Sequence, residues 1–205
     1  LLCHGTVCVV GKIRDLILQL SKSSIYSTKP LSQGQESSIS ADLLETIIVS
    51  DVRSFAQDPR FCLSVMAEIA CRALSPAVND PGTAIDVIGR GVRILSTYAQ
   101  NKSDEIEVKY PSVHVAPLQN NDLLEDFFSP VARDGAGMRE IQIRVLKGLS
   151  MLSKGWPGIF SEAAHNLAFE TLEHAIRADH IDSDRCLIKS IYYNLFSGED
   201  SNKKP

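Results

Sequence analysis

One predicted helix ends and another begins within the stretch Ala73-Leu-Ser-Pro-Ala-Val-Asn-Asp-Pro-Gly-Thr-Ala84. The pair Asp80-Pro81 predicts the start of the second helix, because an Asp side chain accepts backbone N–H bonds at the N-cap and proline suits the first helical position. The pair Asp58-Pro59 predicts the start of the first helix for the same reason. The turn between the helices also holds more polar side chains than a change of chain direction requires.

The first of these helices, Pro59–Leu74, is apolar along most of the rows that i, i+4 spacing defines. A helix that is apolar nearly all round is expected to be buried, so we expect it to form the central post of the fold. The second helix is predicted from Pro81 to about Gln100, with an apolar stripe on one face and charged residues on the other.

Further helices are predicted after residue 120, because apolar residues recur there on one helical face. Asn121 or Asp122 is expected to cap the first of them, and Pro130 is expected to kink it or stop it early. The predicted bounds are Asp122–Arg133, Arg139–Lys154, Gly158–Asp179 and Ser183–Phe196.

Short β-like segments precede and interrupt the helices. Leu2–Val10 is rich in valine, and Glu105–Leu118 alternates apolar and polar residues around Pro111. We therefore expect a mixed α+β chain that is predominantly helical, with a small β-containing N-terminal part followed by a helical body. The expected divisions are residues 1–55 with an exposed loop at 21–40, the helical body at 56–196 and a disordered tail at 197–205.

The amino-acid composition of the chain limits the classes of function that it can have. The net charge of −4 argues against a nucleic-acid partner, because phosphate binding requires clustered Lys and Arg. The five cysteines form no CxxC pair and are expected to be free thiols, which favours a reducing compartment. No apolar stretch reaches the ~20 residues that span a bilayer. Neither catalytic residues nor a cofactor are indicated, and no metal is predicted, because Glu162-x-x-His165 is half of a bundle metal site whose second half is missing.

A set of polar residues around the turn forms the candidate binding site. Asp58 and Asp80 are either helix caps or a general acid–base pair. Anion binding at the second helix N-terminus is opposed by the Asp80 carboxylate. The whole set is either a structural network, in which a buried arginine pairs with a carboxylate, or a ligand pocket. Its members are Arg53, Gln57, Asp58, Arg72, Ser75, Asn79, Asp80 and Thr83.

Two motifs carry a resemblance to a known family. They are Arg53-x-x-x-Gln57-Asp58-x-x-Phe61 and the stretch Ile69–Ala84. Together they resemble the signature of the bacterial membrane-protein family known as domain of unknown function 2254. The resemblance implies an intact protein in the bacterial inner membrane, anchored by N-terminal transmembrane helices, with this chain as the soluble portion that follows them. It implies no catalytic residues. The start of the chain lacks an initiator methionine and a signal peptide, which also indicates a cut inside a longer protein.

The leading hypothesis is therefore a non-enzymatic soluble domain of a membrane protein, which supports assembly or regulates the membrane part by sensing a small-molecule ligand. The free thiols favour the cytoplasmic side. The second hypothesis is an enzyme whose site lies around Arg53, Asp58, Arg72, Asn79 and Asp80. The third is a homo-oligomerisation module, which predicts an exposed apolar patch that self-association covers.

Overall fold

The computed structural model describes the residue pairs Leu2–Cys3 and Thr6–Val7, Phe55, and residues 58–102 and 118–196. The chain divides into two compact units. The first unit comprises Leu1–Phe61 and Ser103–Leu118, and the second comprises Cys62–Lys102 and Gln119–Pro205.

The first unit contains two very short strands. Strand β1 (Leu2–Cys3) pairs antiparallel with β2 (Thr6–Val7), with Leu2 opposite Val7 and Cys3 opposite Thr6. The rest of the β-containing part predicted for residues 1–55 lies outside the described residues, as do the loop at 21–40, almost all of the second β-like segment and the tail at 197–205.

Helices dominate the part of the chain that the structure describes, as the sequence predicts for the body of the protein. Their bounds are α1 (Pro59–Leu74), α2 (Pro81–Asn101), α3 (Asn120–Asp134), α4 (Arg139–Gly155), α5 (Pro157–Arg177) and α6 (Asp182–Phe196). None of these described helices is both long enough and apolar enough to cross a membrane.

The most central helix among those described is α4, and the prediction that α1 is the central post is wrong. Helix α4 packs against α2, α3, α5 and α6, and Ile141, Leu146 and Leu149 are fully buried. Helix α1 buries a single stripe, while Ile69 remains 48% exposed. The physical reason is the size of the side chains that α1 buries: three of its five buried residues are alanines, and the free energy gained by burial scales with the apolar area removed from water.

Helix α3 begins earlier than predicted, and it ends at Asp134, next to the predicted end at Arg133. Gln119 is the N-cap and makes no side-chain cap bond, so the predicted cap at Asn121 or Asp122 is wrong. Pro130 lies inside the helix, which continues to Asp134. Proline removes one intrahelical hydrogen bond, but Phe127 and Phe128 beside it are fully buried, and their packing holds the helix together.

Two glycines set how closely α2 lies to its neighbours. A Cβ atom on Gly91 would lie 2.1 Å from Cζ of Phe127, and one on Gly148 would lie 3.0 Å from Cγ2 of Val92. The Phe127 ring thus occupies space that any other residue at position 91 would fill. The bare backbone of Gly148 lets Val92 of α2 rest directly on α4.

Candidate functional site

The turn between α1 and α2 is closed by backbone hydrogen bonds. The N–H of Asp80 donates to the Ala73 carbonyl at 2.8 Å, and the N–H of Asn79 donates to the Ser75 carbonyl at 2.8 Å. Asn79 has φ of 49°, in the left-handed region that asparagine tolerates better than most residues. The Ser75 hydroxyl donates to the Arg72 carbonyl at 2.7 Å, and so supplies a hydrogen-bond donor to one of the carbonyls in the last turn of α1.

Asp80 caps α2, as the sequence predicts. Its Oδ1 accepts the backbone N–H of Thr83 at 3.0 Å, and its Oδ2 accepts the Thr83 hydroxyl. The Thr83 hydroxyl and then the Thr83 N–H lower the pKa of Asp80, because both bonds favour the ionised carboxylate. The carboxylate therefore occupies the donors that an anion at this helix N-terminus would need.

Asp58 caps α1 in the same way. Its Oδ1 accepts the N–H of Phe61 at 3.0 Å, and the aspartate is only 2% exposed. The ring of Phe61 stacks on Phe55 with centroids 4.8 Å apart. Both aspartates of the candidate set therefore point at backbone N–H groups, which is the geometry expected of structural caps.

The remaining described members of the candidate set lie in the turn or in the helix ends beside it. Arg72, Asn79 and Thr83 are exposed and Ser75 is half-buried. Arg72 is therefore not a buried arginine paired with a carboxylate: it lies exposed in the last turn of its helix, where water solvates the guanidinium at little cost. Arg53 and Gln57 lie outside the described residues.

A groove of about 550 Å³ lies beside this turn, between α2 and α4. One of the residues that line the groove, Gly82, also belongs to the motif stretch Ile69–Ala84. Glycines of both helices line it, together with apolar and charged side chains. The lining residues are Gly82, Ile85, Asp86, Gly89, Val92, Arg93, Arg144, Lys147, Gly148 and Met151.

The groove carries an excess of positive charge. Arg93, Arg144 and Lys147 are exposed, and no ion pair joins any of them to another described residue. The acidic residue of the lining, Asp86, accepts a hydrogen bond from Nε of Arg90 at 2.7 Å. The groove is thus cationic within a chain whose formal net charge is −4.

Sequence reasoning missed this groove, because its charges come from two distant segments. Arg93 lies on α2, whereas Arg144 and Lys147 lie three residues apart on α4. The spacing of Arg144 and Lys147 places them on one helical face, and this is the one local signal of the groove. Nothing in the sequence alone pairs that face with α2.

The histidine of the half metal motif has a structural role. Nδ1 of His165 lies 2.8 Å from the Ser161 carbonyl oxygen, and its ring packs edge-on against Phe196. Across the described residues, no group of three or more His, Cys, Asp or Glu side chains is placed to hold a metal ion.

The family model for predicted membrane proteins called DUF2254 matches residues 16–151. The chain belongs to this family. The match includes the whole motif stretch, α1 to α3, and the α4 residues of the groove. The family's function is unknown, so membership by itself assigns neither an activity nor a ligand.

Curated relatives are similar over a short segment. An uncharacterized protein of Mycobacterium bovis and one of Mycobacterium tuberculosis are each 61% identical to this DUF2254 member over 36 residues. That segment is 18% of this chain and 7% of each relative, so the chain matches a small fraction of their length. No solved structure matches the chain.

Proposed function

We propose that this chain is a soluble, non-enzymatic, ligand-sensing part of a bacterial integral membrane protein, and that its ligand occupies the groove between α2 and α4. The observation that carries the proposal is the position of the groove beside the family motif. Gly82 belongs to both, and the cap bonds of Asp80 fix the start of α2 at the mouth of the groove. A volume of about 550 Å³ lies within the usual range for small-molecule sites.

The geometry of the two aspartates favours this role over an enzyme. An acid–base pair requires carboxylates that face a substrate. Asp58 and Asp80 instead each accept a backbone N–H at the start of a helix. Helix capping and turn formation thus account for Asp58, Asp80 and Asn79 among the residues that motivate an enzymatic site.

We further propose that the intact protein lies in the bacterial inner membrane with this part on the cytoplasmic side. The family's description as predicted membrane proteins supports the first point. The free thiols of Cys62, Cys71 and Cys186 support the second, because exported compartments favour disulfides.

Fractionation and labelling of the full-length protein test the location. We expect the protein in the membrane pellet after an alkaline carbonate wash. In a variant that keeps Cys186 as its one cysteine, a membrane-impermeant maleimide should label the exposed thiol only after the cells are permeabilised. Recovery in the supernatant would overturn the membrane assignment, and labelling in intact cells would overturn the sidedness.

Ligand sensing is tested by thermal unfolding of the full-length protein in a deproteinised bacterial extract. A ligand that binds only the folded state raises the melting temperature. We expect this rise in the wild type and in the control Lys189→Glu, an exposed site on α6, but not in Lys147→Glu. An equal rise in all three proteins would remove the groove as the ligand site.

An exposed apolar surface favours self-association as a second candidate function. Met66 and Ile69 of α1 and Val87 and Ile94 of α2 line a shallower groove of about 450 Å³. Ile69 and Ile94 are 48% and 46% exposed, and a second copy of the chain that covered them would gain the free energy of apolar burial. Light scattering tests this: we expect a dimer that Ile69→Glu dissociates, and a monomeric wild type would exclude the function.

A further inference from the structure

The side chains that line the groove between α2 and α4 suit a ligand that has an anionic group beside an apolar part. Its cations are Arg93, Arg144 and Lys147, and its apolar wall includes Val92 and Met151. Met151 is 62% exposed and so offers apolar surface that the hydrocarbon part of a ligand can cover. We propose, building on the function proposed above, that the groove binds a phosphate monoester with an apolar substituent.

The charge balance favours phosphate over a neutral ligand. Three cations without an ion-pair partner among the described residues line the groove, while the Asp86 carboxylate is already paired with Arg90. A phosphate monoester carries between one and two negative charges near neutral pH. Arginine suits such an anion especially well, because its planar guanidinium donates two parallel hydrogen bonds to neighbouring oxygens.

Glycine positions the guanidinium of Arg144 at the wall of the groove. Nη2 of Arg144 lies 3.0 Å from where a Cβ on Gly89 would stand. Because Gly89 has no side chain, the guanidinium rests against the backbone of α2. A methyl group at position 89 would push that flexible end away without clashing with any backbone atom.

The helix N-terminus at the motif is not part of the proposed site. Asp80 already accepts the N–H of Thr83, and its negative charge would repel a phosphate there. Binding is instead assigned to the side walls of the groove, which positively charged side chains of both α2 and α4 line.

Calorimetric titration of the full-length protein with hexyl phosphate tests the proposal. Separate titrations with hexanol and with inorganic phosphate measure the binding of the apolar part and of the phosphate part of the ligand. We expect hexyl phosphate to bind more tightly than either, and its affinity to fall as salt is added. Lys147→Glu should weaken binding about tenfold or more, the equivalent of losing one hydrogen bond to a charged group. The control Lys189→Glu should change it less than about twofold.

The variant Gly89→Ala tests whether ligand binding can be weakened without a loss of folding stability. Alanine favours a helix more than glycine does, so we expect this variant to unfold no earlier than the wild type while binding hexyl phosphate several-fold more weakly. Unchanged affinity in both Gly89→Ala and Lys147→Glu, or no binding of hexyl phosphate to the wild type, would overturn the proposal.

Vesicles distinguish a soluble ester from a lipid headgroup. Sedimentation with phosphatidic acid–phosphatidylcholine vesicles, but not with phosphatidylcholine alone, would support the site and identify its anion as a headgroup, provided that Lys147→Glu abolishes sedimentation. Calorimetric binding without sedimentation would support a soluble ester. Membrane fractionation of the full-length protein is independent of both results, so the proposed location and this ligand class can fail separately.

Discussion

The side-chain amide of Gln142 donates to the carbonyl oxygen of Ala132 at 2.9 Å, tying the first turn of α4 to the last turn of α3. The same nitrogen donates to the carbonyl of Gly135, also at 2.9 Å. Gln142 is fully buried. A carbonyl at a helix end has no partner within its own helix, so a buried end must find one in a neighbouring element.

Replacement of Gln142 by methionine should therefore destabilise the fold. Gly135 would keep the N–H of Met138 as a donor at 3.0 Å, but the Ala132 carbonyl would lose its side-chain donor in a buried place. A buried unsatisfied acceptor costs about 1–3 kcal/mol, and we expect a loss of that size in the free energy of unfolding measured with urea. The exposed control Gln100→Met should change it by less than about 0.5 kcal/mol. Equal effects at both positions would contradict this account of the α3–α4 junction.

Gly91 should be intolerant of even one added methyl group. Its Cβ would stand 2.1 Å from Cζ of Phe127, whose ring is fully buried and has no room to move. Overpacking of this kind costs typically about 1–3 kcal/mol and outweighs the gain in helix propensity from alanine. Urea unfolding should show Gly91→Ala to be destabilised, whereas Gly158→Ala, where nothing lies within 4 Å of the added atom, should be neutral or stabilised. A stable Gly91→Ala protein would mean that α2 and α3 separate at little cost.

The helix starts could be predicted from the sequence wherever the signal is local. Asp58-Pro59 and Asp80-Pro81 mark the starts of α1 and α2 correctly, because the cap bond spans three residues and needs no partner from elsewhere in the chain. The start of α3 was misplaced, because Gln119 makes no cap bond that a sequence pattern could reveal.

The central helix and the groove could not be predicted in this way, since both depend on contacts between distant segments. The apolar pattern of α1 does not show which of its side chains are buried, and three of the five that are buried are alanines. Arg93 and Lys147 are ordinary charges on two amphipathic helices until α2 and α4 pack together. The polar composition of the turn predicts a candidate binding site, yet its described side chains mainly cap helices and close the turn.

Cys71 should be far less reactive than Cys186. Burial first, and then a hydrogen bond to the Asp134 carboxylate, together raise the pKa of the Cys71 thiol to about 12. At pH 8 only about one Cys71 in ten thousand would be the nucleophilic thiolate. Mass spectrometry after brief iodoacetamide treatment should find Cys186, which is exposed, modified in the folded protein and Cys71 unmodified.

The Asp134→Asn variant tests the cause of this low reactivity. Removal of the carboxylate should lower the pKa of Cys71 and speed its alkylation, while the rate at Cys186 stays the same. Complete unfolding in urea should make both thiols react equally. Rapid alkylation of Cys71 in the folded wild type would show that its thiol is neither buried nor bonded as described.

The Asp80 cap should be lost only in strong acid. The hydroxyl and N–H of Thr83 hold the pKa of Asp80 below its ordinary value of 3.8. Because the folded-state pKa is the lower one, the cap's contribution to stability is complete above pH 3.8 and is lost as pH falls through the folded-state pKa.

Carboxyl chemical shifts followed by NMR over an acid titration should report a depressed pKa for Asp80 in the wild type. Thr83→Val should raise it toward the ordinary value, because the hydroxyl is the largest cause of the shift. Thr97→Val is the matched control, since that hydroxyl donates to the Arg93 carbonyl instead, and it should leave the Asp80 titration unchanged. An Asp80 that titrates identically in wild type and Thr83→Val would show that the threonine does not support the cap.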